Sequence, residues 1–304
     1  MSTLPGPFTH PAAWRGEELF TRHDWNGSLT DLSAIQRNLE EGCGACLIQG
    51  FDIDTMTGEQ AKSNFLKIVS QIGTPVSQSA KGEIIFSVRD EGYRVGQPQA
   101  RGPNTRKRLS FHTDLCDVIA FLCLRQARTG GANQIVSSMS VYNQIREERP
   151  DLAEILTRPF YYQRHNVDTG NAKLWCRQPI FSCCDGHFAG SYLRVLIDRA
   201  YDSPDLPNMS DEEKEALDFI EEVASRPEMH VTFTLRSGDL LLLNNWVTFH
   251  RRDEFEDDPG ADNRRHLLRA WLSVPNSRPL VPEFKDNYGS TEAGAIRGGM
   301  QAIS

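Results

Sequence analysis

The stretch Cys116-Asp117-Val118-Ile119-Ala120-Phe121-Leu122-Cys123-Leu124 is almost continuously apolar, and it limits the folds open to this chain more than any other. A strand apolar on both faces must be covered on both sides, so a layer of structure is required on each flank of its sheet. Other strand-like runs are short: Cys46 to Phe51, Glu83 to Val88, the residues after Gly130-Gly131, the alternation Val231, Phe233, Leu235, and the run from Gly238 to His250. Helical stripes separate them. Leu32, Ile35 and Leu39 share a face after Asp31; Thr57-Gly58-Glu59-Gln60 and Ser210-Asp211-Glu212-Glu213 have the form of capping boxes, each ahead of an apolar stripe. Tyr142 to Leu156 reads as helix interrupted at Pro150.

No segment repeats with a fixed period, and many short strands argue for a barrel or sandwich rather than alternating strand–helix units. The expectation is one mainly β domain over residues 1–304 with α insertions. A helical region occupies about 1–80 and an insertion about 140–230. The first thirty residues should wrap the outside of the core, and the last thirty, rich in Pro, Gly and Ser, read as a surface tail.

No apolar stretch is long enough to span a bilayer, and the start, Met1-Ser2-Thr3-Leu4-Pro5-Gly6, lacks a charged and then apolar leader, which together point to the cytoplasm. The formal charge of -8 disfavours nucleic acid as main partner. Seven cysteines, an odd number, do not form a disulfide framework in a chain of this size. Cys43-Gly44-Ala45-Cys46 matches C-x-x-C, a pattern open to redox and zinc roles; without a second such pair, buried packing thiols are the better reading. No glycine motif for a dinucleotide or phosphate is present.

Chemistry concentrates in Phe111-His112-Thr113-Asp114. In extended backbone, His112 and Asp114 project from one side and can converge on one metal ion. A third ligand is offered by His250, after Asn244-Asn245. Two histidines and a carboxylate on one side of a metal leave coordination positions open, as in non-heme iron(II) oxygenases; the same set also suits a zinc hydrolase. Further on, Asn263-Arg264-Arg265-His266-Leu267-Leu268-Arg269-Ala270-Trp271-Leu272, read as a strand, puts Arg265, Leu267, Arg269 and Trp271 on one face. Two inward guanidiniums are costly unless an anion meets them, and a dicarboxylate would. The long segment Arg89 to Arg108 precedes the ligands; its Arg94, Arg101, Arg106, Lys107 and Arg108 suit either a lid facing an anionic substrate or a solvated loop. Within the insertion, His165, Trp175, Arg177, His187 and Arg194 are scattered without a telling spacing.

In order and spacing, these motifs resemble the TauD/TfdA family of taurine dioxygenase-like enzymes over roughly residues 30 to 275. The resemblance implies a double-stranded β-helix, the jelly roll of clavaminate synthase-like proteins. It implies that His112, Asp114 and His250 bind Fe(II), that Arg265 pairs with the distal carboxylate of 2-oxoglutarate, and that Arg269 lies close to the cosubstrate or substrate anion. Where many members carry a threonine after the double glycine, this chain has Asn133, whose amide can also donate to a carboxylate. The implied reaction consumes O2 and 2-oxoglutarate, releases succinate and CO2, and hydroxylates a small organic substrate, with cleavage following if the hydroxylated carbon carries a heteroatom. Outside the enzyme class stands a non-catalytic jelly-roll binding protein. An anionic small molecule is the expected partner, and a homo-oligomer is compatible with the sequence.

Overall fold

The computed structural model describes residues 4, 6–93, 102–164, 173–260 and 264–300. Pro5, Arg94, Arg101, His165 and Asn263 therefore lie outside the described residues. Helices occur in the order α1 Glu18–Thr21, α2 Leu32–Glu41, α3 Gly58–Ile72, α4 Ser138–Glu148, α5 Pro150–Ile155, α6 Arg194–Tyr201, α7 Asp211–Ala224 and α8 Lys285–Tyr288. Strands run β1 Ala45–Ile48, β2 Thr74–Val76, β3 Ile85–Val88, β4 Val118–Arg125, β5 Thr129–Gly130, β6 Asn133–Ser137, β7 Pro159–Gln163 and β8 Trp175–Pro179. They continue with β9 Phe181–Cys184, β10 His187–Gly190, β11 His230–Phe233, β12 Leu240–Asn244, β13 Thr248–Arg252, β14 Phe255–Glu256 and β15 His266–Ser273.

The major sheet has the order β1-β12-β4-β15-β2, with β3 also paired to β15. A minor sheet, β11-β6-β13, faces it. Side-chain parity divides the layers. From the major sheet, Ile119, Cys123, Leu241, Leu243, Leu267 and Trp271 pack with Ile135 and Val231 of the minor sheet, forming the interior of the jelly roll. Val118, Ala120, Leu122, Leu240, Leu242, Leu268, Ala270 and Leu272 point the other way, onto Ile35 and Leu39 of α2 and Phe65, Val69 and Ile72 of α3. This is why β4 and β12 are apolar at nearly every position: both faces are buried. The outer face of the minor sheet, with Val136 and Phe249, packs against Met139 and Ile145 of α4 and Leu217 and Ile220 of α7.

Caps set the helix starts as the sequence suggested. Asp31 accepts from the Ala34 N–H, and both Thr57/Gln60 and Ser210/Glu213 form reciprocal capping boxes. Pro150 does not merely interrupt a helix; it begins α5, where its missing N–H costs nothing.

Two expectations are corrected. The run from Gly238 to His250 is not one strand: it breaks at Asn245–Val247, so β12 pairs with β4 in the major sheet and β13 with β6 in the minor one. Asn244 makes the break possible, since its side chain accepts from the Trp246 N–H and its backbone carbonyl from the Thr248 hydroxyl. The C-terminal segment is not a surface tail. Leu280, Phe284 and Tyr288 are buried with Trp246, and Arg297, 2% exposed, donates to Asp117 at 2.7 Å while Arg278 donates to Glu40 at 2.6 Å. A few large anchors outweigh its polar average. Gly298, with φ +75°, passes so close to the Leu115 carbonyl that a Cβ would sit 2.6 Å from it.

All seven cysteines are free, and five of them are buried. Burial pushes the thiols of Cys43 and Cys46 up, the latter to about 12, which agrees with packing rather than reactive roles.

Candidate metal centre

His112 and His250 face each other across an antiparallel bridge, each backbone N–H donating to the other's carbonyl at 3.0 Å. Directly opposed residues project from the same face, and the two rings lie 4.4 Å apart. Two residues further on, Asp114 is held by its own N–H, which donates to Asn245 Oδ1 at 3.2 Å, while Asn245 Nδ2 donates to the Cys116 carbonyl. The break between β12 and β13 thus carries Asn245, which positions one ligand, and delivers His250, which is another. One ligand atom from each of His112, Asp114 and His250 lies within 4.8 Å of the others, the only such group of three among the described residues.

The chemistry of the donors suits a divalent metal. His112 Nδ1 lies 2.8 Å from the Ser110 carbonyl, an acceptor, so the proton sits on Nδ1 and the Nε2 lone pair is available. Burial, reinforced by neighbouring His250, brings His112 down to about 4, which keeps the ring neutral. Burial opposes ionisation of Asp114, but Arg269 and the two histidines outweigh it and hold the carboxyl well below its usual range. Asp114 Oδ2 and His250 Nδ1 are buried without a hydrogen-bond partner, and Oδ2 lies 3.5 Å from His250 Nε2. A buried carboxylate oxygen left this way is what a metal ion would satisfy.

Beside the ligands is a cavity inside the jelly roll, bordered by His112, His250, Asn133, Arg252, Arg265 and Arg269. Arg269, within β15, and Arg265, one residue ahead of that strand, both border this cavity, although the pairing with β4 slips between His266 and Leu267. Arg269 stacks between Phe86 and Trp271, donates to Gln78 Oε1 at 2.7 Å, and places Nη1 3.5 Å from Asp114 Oδ1. Arg265, 5% exposed, has no carboxylate within 4.0 Å of its guanidinium among the described residues. Burial lowers it to about 10. Gly131, at φ +72°, lets the turn before β6 close on it: a Cβ there would be 3.3 Å from Arg265 Nε. Asn133 opens β6 at the same cavity wall.

Of the lid arginines, Arg106 pairs with Asp90 at 3.0 Å and Arg108 with Asp253 at 3.4 Å, both more than half exposed. Pro103 and Leu109, not these arginines, reach the cavity. In the insertion, Arg194 pairs with Asp198 and Asp218, and Arg177 stacks on Tyr161; neither borders a cavity at the metal ligands. Sequence reasoning passed over Gln78, whose role no local pattern signals, and Arg252, which a period of two already put on the face of His250. Arg252 donates to the carbonyls of Thr105 and Arg106 and so ties the loop before the ligands to β13.

A jelly roll carrying two histidines and one carboxylate beside an arginine-lined cavity has the makings of a non-heme iron oxygenase rather than a hydrolase. The fold agrees with solved structures: an asparagine oxygenase in complex with Fe(II), 2S,3S-3-hydroxyasparagine and succinate superposes at TM-score 0.59, with 16% identity over 81% of this chain and 79% of that one. The non-heme iron oxygenase OrfP in complex with Fe and alpha-ketoglutaric acid gives TM-score 0.58, with 14% identity over 88% and 90%. Residues 8–271 match the taurine catabolism dioxygenase TauD, TfdA family, and the chain belongs to it. It is 33% identical over 266 residues to FR-33289 synthase of Streptomyces rubellomurinus, covering 84% of this chain and 77% of the relative. A uridine-5'-phosphate dioxygenase of a Streptomyces species is 28% identical over 161 residues, covering 52% and 56%. The protein is an Fe(II)- and 2-oxoglutarate-dependent dioxygenase.

Proposed function

We propose that His112, Asp114 and His250 are the iron ligands, that Arg265 and Asn133 bind the distal carboxylate of 2-oxoglutarate, and that Arg269 neutralises charge beside Asp114. The observation that carries this is the convergence of the three ligand atoms within 4.8 Å, next to a buried guanidinium facing a cavity. When bound, Fe(II) couples oxidative decarboxylation of 2-oxoglutarate, giving succinate and CO2, to hydroxylation of a C–H bond. The protein side chains bind and orient. The Ser110 carbonyl holds the His112 tautomer, Asn245 holds Asp114, and Gln78 holds Arg269 so that its charge stays at the carboxylate. Leu241, Leu243 and Leu267 keep water from the cavity wall, which strengthens each charged contact inside. The substrate is a small organic molecule, hydroxylated and in some cases then cleaved. Residues 1–304 act as one domain, with the helical region about 1–80 and the insertion about 140–230 flanking the jelly roll, and the setting is cytoplasmic; among the described residues no helix is long and apolar enough to cross a membrane.

The test is anaerobic titration with Fe(II) and 2-oxoglutarate. A visible metal-to-cosubstrate charge-transfer band should appear with the wild type and be lost in Asp114→Ala, with circular dichroism unchanged. A band of full intensity in Asp114→Ala removes the ligand assignment.

A further inference from the structure

Four arginines border the inner cavity, Arg251, Arg252, Arg265 and Arg269, and among the described residues no acidic side chain does. Two of the four are compensated from outside it. Arg269 Nη1 lies 3.5 Å from Asp114 Oδ1, and Arg251 Nη1 lies 3.8 Å from Glu221 Oε2. Arg252 and Arg265 have no carboxylate within 4.0 Å among the described residues, yet both guanidiniums lie over the ring of Phe255, at 4.7 and 5.3 Å from its centroid. Like charges gathered in a buried wall repel, and a shared aromatic face lessens the cost without neutralising either one.

Arg252 is also fixed in place. Its Nη1 donates to the carbonyls of Arg106 and Asp253 at 3.0 and 2.9 Å, and its Nη2 to the Thr105 carbonyl at 2.8 Å. Carbonyls orient a guanidinium but leave its net charge where it was. On β13, Arg252 comes two residues after the metal ligand His250, roughly 7 Å along the strand, and its partner across the ladder on β6 is Asn133. Away from the ligands the cavity therefore gathers Asn133, Arg252 and Arg265. We propose that Arg252 is a second cation for the distal carboxylate of 2-oxoglutarate, and that the pair, not Arg265 alone, makes this site demand a keto acid charged at both ends. A keto acid ending in a methyl group would leave two buried charges uncompensated instead of one. This rests on the assignment of the inner cavity to 2-oxoglutarate.

The experiment titrates the full chain, with Fe(II) and without oxygen, with 2-oxoglutarate and with 2-oxopentanoate, which has the same chain length and keto acid end but a methyl group in place of the distal carboxylate. Both chelate through the same atoms, so the ratio of their Kd values, read from the charge-transfer band, isolates the far end of the ligand. In Arg252→Gln the preference for 2-oxoglutarate should fall about tenfold or more, with the Kd of 2-oxopentanoate within about twofold of wild type. Arg252→Lys, which keeps the charge, should hold the preference within about threefold of wild type, and it carries the test if the Gln variant loses its native circular dichroism. A residue that only ties the preceding loop to β13 would weaken both ligands alike. An unchanged preference in Arg252→Gln, a parallel loss for both ligands, or a comparable fall in Arg252→Lys each overturn the inference. Arg265→Met separates this from the reading beneath it: a preference left intact by that substitution, or no band with wild-type protein, overturns the cosubstrate assignment instead.

Discussion

Replacing Arg265 by Met should move stability and cosubstrate affinity in opposite directions. In the ligand-free fold the guanidinium is 5% exposed and burial lowers it from 12.5 to about 10. That drop corresponds to roughly 3 kcal/mol of disfavour for the charged form. Against this, the stacking over Phe255, at 5.3 Å, contributes about 1 kcal/mol and is lost on substitution. The backbone bond from Arg265 N to Asp257 survives any side chain. Methionine fills similar length with no charge, so the variant without cosubstrate should be about 1–2 kcal/mol more stable in urea denaturation. With 2-oxoglutarate the sign reverses, because the distal carboxylate loses a desolvated partner worth about 2–5 kcal/mol, and its Kd from charge-transfer titration should rise roughly 30-fold or more. A variant clearly less stable than wild type, with unaltered cosubstrate affinity, refutes both the reading of Arg265 as an uncompensated buried charge and its role.

Arg251 neighbours His250, stacks 4.0 Å from Phe111 beside His112, and donates to Ser225; Arg251→Met should weaken Fe(II) retention several-fold with little change in 2-oxoglutarate Kd, and equal metal retention by chelator challenge would dismiss that coupling. Without metal, the fold holds His112 neutral down to about pH 4 whereas the unfolded chain takes up a proton near 6.5. The unfolded state therefore binds more protons in that window, and the Tm of metal-free protein should fall as pH drops from 6.5 toward 4, less steeply in His112→Gln; identical slopes argue against a buried neutral His112. Asp117 accepts from Arg297, Trp246 and the Val274 N–H. Asp117→Ala strands a fully buried guanidinium and should cost about 3–5 kcal/mol. Arg297→Met leaves the carboxylate its other donors and should cost less, so the reverse order in chemical denaturation would contradict this account.

Much of the architecture was legible because burial writes a period into the chain. Two-sided burial of the major sheet made β4 read as unbroken apolar, and the alternation over Arg265, Leu267 and Arg269 picked out residues that all border the inner cavity. Capping boxes announced α3 and α7 through local hydrogen bonds that need no tertiary partner. The ligand motif was readable for a similar reason: His112 and Asp114 lie two residues apart in extended chain. What the sequence by itself determined, then, was whatever depends on near neighbours along the backbone. The tertiary structure alone decided that the chain breaks at Asn245–Val247, that His250 bridges to His112, and that Gln78, 191 residues away from Arg269, fixes that arginine. It also decided that a polar C-terminal segment packs inward through Arg278 and Arg297, because ion pairs between distant residues leave no periodicity to read, and their desolvation is compensated only when the partner arrives.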